Sequence, residues 1–372
     1  MNKILFITPF VPDDHGGGGT SYTKCLLQEL SKSNEIDLIY FRYKTSGHYS
    51  NKGNISVIKE YTIRKFDKIL SLLCLPWIFP LFSARFKWKI NKEIQNLIDK
   101  GNYDLVYFDF SQTFSYAKFV RHPNKLLMAH DVIGQKYSRS KKYLSRWARW
   151  TEGKMLETAD AIFTFSEKDC VLFKDWYGVK SQPTTFFLND FVLNAKPDGC
   201  GDYFVMFGSW GRYENYGALE WLMDNVAPHL GQGVKIKIVG GGKLPSDLKV
   251  RIDESSIFEY IGFQDNPYDI IANAKAEIAP LTRGAGVKVK CVEALACGTP
   301  VIGSEVAFEG ISNDFSEFMI LVSSIEEYVD KINNINISLN KRLEFKKRFC
   351  HHYNQKKVLE YISRIKKNKE GL

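Results

Sequence analysis

Two α/β domains in series, each a parallel sheet wrapped by helices, are what this 372-residue sequence predicts. Three observations point there. Short β-branched or aromatic runs alternate with longer amphipathic segments along nearly the whole chain, the rhythm of βαβ units. The rhythm halts at residues 189–202, NDFVLNAKPDGCGD, where Asn, Pro, Gly and Asp cluster as in a linker, and then resumes. Glycine-rich loops follow strand-like runs in both halves: GGGG near the start, GGG in KIKIVGGGK, and LTRGAG at residues 281–286. The domain bounds read from this pattern are 1–193 and 194–350, with 351–372 a C-terminal helix that packs back on the first domain.

Composition narrows the class. An apolar fraction of 44% and an aromatic fraction of 14% supply large cores. The net charge of +9 favours an anionic partner such as a lipid head group or a nucleotide. No nucleic-acid motif accompanies that charge, so no nucleic-acid partner is expected. The seven cysteines lack paired spacing, and Cys25, Cys74, Cys291 and Cys297 lie in apolar runs, as free thiols of a reducing compartment do. MNKILFITPF is too short and strand-like for a signal peptide, and no apolar run of about 20 residues exists. A cytoplasmic protein is expected.

The elements follow in order. KILFITP (3–9) reads as a central strand, followed by the glycine loop, a helix through SYTKCLLQELSKS and the strand EIDLIYF. The loop lacks a spaced G-x-G-x-x-G, so a dinucleotide site is not supported. Residues 61–98 contain ILSLLCLPWIFPLF, broken by Pro76 and Pro80 and flanked by cations. This segment is too short and interrupted to span a bilayer, but suits an interface. Trp77 and Trp88 would sit at head-group depth there, with Arg64, Lys65, Arg85, Lys87 and Lys89 facing anionic lipid. A pair of core helices hinged at the prolines is the competing reading.

YDLVYFDF (103–110) and KLLMAHD (125–131) are further strands, and the second ends in His130 and Asp131. That carboxyl edge is where open α/β sheets place ligands. KYSRSKKYLSRWARW (136–150) reads as a basic aromatic helix, and Ser166 with Asp169 as a weak capping box. In the second half, YFVMFGSW, KIKIVGGGK, IFEYIGF and AEIAPL are strands.

The last of them opens the most informative stretch, LTRGAGVKVKCVEALACGTPVIG (281–303). Val287 to Ala296 reads as a helix closed by Gly298. A glycine loop feeding a helix N-terminus suits a phosphate. Lys288 and Lys290 in the first turn are unfavourable beside the helix dipole unless an anion sits there. Glu293, further along, could reach hydroxyls of the phosphate's carrier.

These residues resemble GT-B glycosyltransferases, in particular glycosyltransferase family 4 (glycosyl transferases group 1). The resemblance runs through the N-terminal glycines, ADAIFTFSEKD, FGSW, IVGGG, YIGFQDN and the signature K-x-x-E-A-x-A-x-G-x-P-V-I at Lys290–Ile302. It implies a GT-B fold, two Rossmann-like domains facing each other across a cleft. It implies a metal-independent, retaining transfer from a nucleoside-diphosphate sugar to a glycan or lipid-linked acceptor, with no cofactor, as in bacterial-type surface polysaccharide synthesis. Location would be cytoplasmic, peripheral on the inner membrane face.

By the same resemblance, Glu293 takes the ribose hydroxyls, Gly286, Val287 and Lys288 meet diphosphate and sugar, and Gln264 lines the base. Gly208 and Ser209 face the phosphates, while Arg283 and Lys290 supply positive charge. Gly18, Gly19, His130 and Asp131 form the acceptor side, and His130, Glu293 and Lys290 carry catalysis. Two features depart from the pattern. The family's E-x7-E motif expects its first glutamate where Ala285 stands, and its arginine and lysine after the second domain's first strand fall at Ser209 and Asn215. GAGVKVK instead follows a G-x-G-x-[RK]-x-K form. A nucleotide-sugar epimerase and a non-catalytic GT-B binding protein stay open beside the transferase.

Overall fold

The computed structural model describes residues 1–12, 18–50, 53–198, 201–353 and 356–370. The chain divides into two compact units, residues 1–187 with 356–372, and residues 188–355.

The first unit holds a seven-stranded sheet: β1 (Asn2–Thr8), β2 (Asn34–Tyr43), β3 (Ile55–Ile63), β4 (Leu105–Asp109), β5 (Lys125–Met128), β6 (Ala161–Thr164) and β7 (Gln182–Pro183). Their spatial order is β3-β2-β1-β4-β5-β6-β7. The pairing is parallel, with Ile4 opposite Leu105 and Ile7 opposite Phe108 at its centre. Central strands carry apolar residues on both faces because helices cover both, and every residue of β4 is buried. The C-terminal helix Lys357–Glu370 belongs to this unit. Asn2 donates to the Ile362 carbonyl at 3.0 Å, and Val358 and Ile362 are buried.

The second unit has β8 (Phe204–Phe207), β9 (Ile236–Val239), β10 (Phe258–Gly262), β11 (Glu277–Ala279), β12 (Val301–Gly303) and β13 (Met319–Leu321). Their order is β10-β9-β8-β11-β12-β13, again paired in parallel. The helix after β11 runs from Val289 to Ala296, two residues later than the sequence pattern suggests. Gly286 has φ +66° and Lys288 is extended, so the backbone is not helical until Val289. At the other end Gly298 adopts φ +78°, and a Cβ there would lie 2.8 Å from the Arg342 carbonyl.

Arg342 fastens this end of the helix. Its side chain is buried and donates to the carbonyls of Gly298 (2.8 Å) and Ala272 (2.5 Å) and to Thr299 Oγ1 (3.0 Å). Arg342→Met keeps the stem and strands these acceptors away from water. It is expected to lower stability by about 3 kcal/mol, read as a fall in the urea midpoint.

Residues 61–98 are partly core and partly exposed. Ile78, Phe79, Phe82 and Phe86 are core residues. The helix Lys65–Cys74, by contrast, turns Phe66, Ile69, Leu70 and Leu73 to solvent, and Trp77 follows them. Two of the expected lipid-facing cations are not on that surface. Arg85 is buried with its guanidinium over the Phe10 ring, and Lys87 is tied to Asp67 at 2.8 Å. Arg64 and Lys89 are exposed; the Lys65 side chain lies outside the described atoms. The basic segment 136–150 is two helices, Ile133–Ser140 and Lys142–Leu156, broken at extended Lys141. The second is pinned to the Trp77–Phe79 turn: Trp147 Nε1 donates to the Trp77 carbonyl (2.8 Å), and the Phe79 N–H to Thr151 Oγ1 (3.1 Å). Among the described residues no helix is long and apolar enough to cross a membrane.

Candidate functional site

In the first sheet the strand order reverses between β1 and β4, and a crevice opens at such a point beyond the carboxyl ends. Thr8 closes β1, Asp109 closes β4, and His130 follows β5. Asp109 is fully buried. One carboxylate oxygen lies 2.8 Å from His130 Nε2, and the other accepts from Thr23 Oγ1 (2.6 Å) and Thr8 Oγ1 (3.1 Å). Paired to Asp109, Nε2 carries the proton, which leaves Nδ1 on the side of Gly19.

Two further contacts fix the imidazole. Phe110 stacks on it with ring centroids 3.5 Å apart. Phe110 holds φ +59°, a conformation that costs a non-glycine residue roughly 1–3 kcal/mol. Gly19 lies against both rings: a Cβ there would sit 2.9 Å from Phe110 Cζ and 3.2 Å from His130 Nδ1. Gly18 and Gly19 begin the helix Gly18–Ser31, while the preceding glycines lie outside the described residues. Asp131 turns to Lys136 at 3.6 Å. The backbone after it is held by buried Glu152, which accepts the N–H groups of Ile133 and Gly134, each at 2.8 Å. Burial pushes the Glu152 carboxyl up to about 7. Asp109 is the residue that sequence reasoning missed, although an acid closing an apolar strand in YFDF is a visible signal.

In the second sheet the reversal falls between β8 and β11, and the loops after those strands bring the remaining candidates to one edge. Gly208 and Ser209 follow β8. Asn215 clamps them: its Nδ2 donates to the Ser209 carbonyl (2.8 Å), and its Oδ1 accepts from Lys290 Nζ (3.0 Å). Gly240, at φ +120°, packs so closely that a Cβ would meet the Gly208 carbonyl oxygen at 2.1 Å. Gln264 follows β10 with its amide reaching back to Ile261. Beside it Phe263 stands 63% exposed against Gly241, an aromatic face at the sheet edge that the sequence reading passed over.

The cations of the 281–303 stretch converge. Arg283 lies over the Tyr213 ring at 4.7 Å, Lys288 is the N-cap of the Val289–Ala296 helix, and Lys290 is in its first turn. Lys288 Nζ donates to the Gly286 carbonyl at 2.6 Å. Glu293 is partly buried, accepts from the Tyr268 hydroxyl at 2.9 Å, and is pushed up to about 7 by burial. Glu277, at the start of β11, is fully buried with neither oxygen hydrogen-bonded. Burial raises it to about 8, with neighbouring Glu293 adding and Lys290 opposing. Glu277 is therefore mostly protonated at neutral pH and leaves the charge of Lys290 largely uncompensated. Such a set suits an anion: a helix N-terminus, three cations, and an acid one turn further on.

Residues 202–336 match the family model for glycosyl transferases group 1. Over this span the chain is similar to the group 1 glycosyltransferases. The fold of the whole chain is GT-B, as in three solved structures. TarM matches with a TM-score of 0.71 at 11% identity over 98% of each chain. Anabaena HepE, in complex with UDP and glucose, gives 0.63 at 14% identity over 100% of each. WaaG, a glycosyltransferase of lipopolysaccharide biosynthesis, gives 0.63 at 13% identity over 95% of each. No curated protein sequence matches the chain. The matched span contains every candidate donor residue, from Gly208 to Glu293, and the acceptor-side residues lie outside it.

Proposed function

We propose that the protein transfers a sugar from a nucleoside-diphosphate donor to a glycan or lipid-linked acceptor, with retention, in the assembly of a surface polysaccharide. The observation that carries this reading is the start of the Val289–Ala296 helix, with Lys288 as its N-cap, Lys290 in its first turn and Glu293 one turn on, preceded by the glycine loop that bears Arg283. Breaking the bond between the anomeric carbon and the diphosphate oxygen builds negative charge on the leaving group. Lys290, held toward Gly208 and Ser209 through Asn215, and the helix N-terminus meet that charge without reorganising. No cofactor is needed, since side chains supply the compensating charge. Glu293 accepts ribose hydroxyls, and Phe263 and Gln264 face the base. In the first unit His130, fixed by Asp109, orients the transferred sugar or the acceptor hydroxyl.

A thermal-shift screen of nucleotides and nucleotide sugars tests the reading, because a ligand of the folded state alone raises the melting temperature. A rise with at least one nucleoside diphosphate and its sugar conjugate, retained in EDTA, is expected; no rise with any would sink it. Incubation with donor alone separates an epimerase, which would convert the sugar without an acceptor.

A second reading, attachment to an anionic membrane surface, is favoured by the outward apolar face of the Lys65–Cys74 helix. Phe66, Ile69, Leu70 and Leu73 recur at helical spacing, and Leu73 is 71% exposed. Trp77 continues this face. The pinned neighbour, Lys142–Leu156, adds exposed Tyr143 and Trp150 with exposed Lys142 and Arg146. Apolar side chains interleaved with cations suit the head-group region. Co-sedimentation with phosphatidylglycerol vesicles at low salt, lost in Leu73→Glu, is expected; failure of the wild type to bind counts against this part alone.

A further inference from the structure

The anion-binding edge of the second unit contains one acid that the phosphate chemistry does not explain. Glu309 lies on the segment after β12, the strand beside β11, and its carboxylate stands 3.7 Å from Lys288 Nζ. Both side chains are nearly enclosed, Glu309 at 10% exposure and Lys288 at 12%. The two loops are joined where they leave the sheet, because Ser304 Oγ donates to the Leu281 carbonyl. Buried Ala307 and Phe308 anchor the backbone just before Glu309, and Gly310 at φ +81° turns the chain just after it. The carboxylate is thus held in place beside the loop.

Its sign is the difficulty. A site that takes only a diphosphate gains from Arg283, Lys288, Lys290 and a helix N-terminus, and loses from a carboxylate about 4 Å from one of those cations. A carboxylate in that place is useful when the ligand also presents hydrogen-bond donors, since an ionised carboxylate is acceptor-only, with two oxygens. Sugar hydroxyls are such donors. The loop itself offers no acid: Ala285 lies between Gly284 at φ +117° and Gly286 at φ +66°. A carboxylate acceptor for the sugar comes instead from a neighbouring segment, where Glu309 is placed beside Lys288.

We infer that Glu309 binds hydroxyls of the donor sugar and, with Lys288, sets which sugar is accepted. This rests on the donor reading of the 281–303 stretch. In the complex Lys288 serves the diphosphate and Glu309 the sugar, so one ion pair serves both halves of the ligand. The competing role is plain neutralisation of Lys288.

The two roles separate when ligands with and without the sugar are compared. The probes are UDP with UDP-glucose and GDP with GDP-mannose, using the pair that raises the wild-type melting temperature, with affinities measured by calorimetry. Glu309→Gln keeps the shape and removes the charge. It is expected to bind the free diphosphate as well as the wild type does, or up to threefold tighter, while losing tenfold or more toward the sugar conjugate. Glu309→Asp guards against a folding defect: it is expected to keep diphosphate affinity and shift the preference among sugar conjugates. Equal changes for diphosphate and conjugate in both variants, or no change in either, overturn the inference and leave the donor reading standing. No binding of either pair by the wild type overturns both.

Discussion

Asp109→Asn is expected to lower kcat by roughly 10²–10⁴-fold, the range for a positioned acid–base group, with the fold intact. Asp109 has no exposure, yet it is tied to His130 Nε2 and to two threonine hydroxyls, so its charge is dispersed over three short contacts. Asparagine preserves the volume but brings an amide that donates where the carboxylate accepted. Thr8 and Thr23 can rotate to accept, whereas the imidazole loses the fixed negative charge that selects its tautomer. Phe110 stacking still holds the ring plane, so a large drop would identify the charge rather than ring placement. Steady-state kinetics with matched circular dichroism checks this. A kcat within threefold of wild type, in a folded variant, would remove His130 from the chemistry. Asp109→Ala serves as the contrast: it leaves two buried hydroxyls short of a partner and is expected to lose about 1–3 kcal/mol of stability as well.

The same corner shows what a sequence can and cannot reveal. The parallel core strands are legible because burial on both faces forces continuous apolar runs, as in KILFIT and LVYF. The edge strand β3 escapes: ISVIKEYTI exposes Ser56, Lys59 and Thr62, three residues apart across a register shift, and reads as neither pattern cleanly. The three-residue β13 is too short to carry a period. His130 stands out as a rare residue at a strand end, while Asp109 hides in plain composition. What distinguishes it is the reversal of strand order between β1 and β4, a fact of topology.

The cations divide along the same line. Lys288 and Lys290 are readable, because lysines at a helix start oppose the dipole and demand an anion. Arg85 and Lys87 look equally free in sequence, yet Phe10 and Asp67 claim them from distant positions. The Lys142–Leu156 helix is tied to the turn after the Lys65–Cys74 helix through the Trp147 to Trp77 and Phe79 to Thr151 bonds. Long-range contacts of this kind leave no local mark.

Lys290→Ala and Glu293→Gln should separate the two halves of donor binding. Lys290 lies beside Glu277, which is mostly neutral at neutral pH, so removing the ammonium removes nearly a full positive charge from the site. Loss of one preorganised group facing the leaving oxygen is expected to cost about 10²–10³-fold in kcat. Glu293 acts differently. Its carboxyl, raised by burial to about 7, must be ionised to accept two ribose hydroxyls. Wild-type affinity for the nucleoside diphosphate should therefore weaken as pH falls below about 7, by up to tenfold per unit. In Glu293→Gln the affinity should be weaker at pH 8 and depend less on pH. Without ligand the sign reverses. A carboxyl whose folded value lies above its ordinary 4.5 holds its proton more tightly in the native state, so this group's contribution to stability declines as pH rises from about 4.5 to about 7. Ligand-free unfolding and ligand affinity should thus respond in opposite directions to pH over the overlapping range, and both responses should shrink in Glu293→Gln. Calorimetric titrations at pH 6, 7 and 8 with urea unfolding at the same pH values decide it. Unchanged pH dependence in the variant would move the ribose contact, and the titrating group, to another residue.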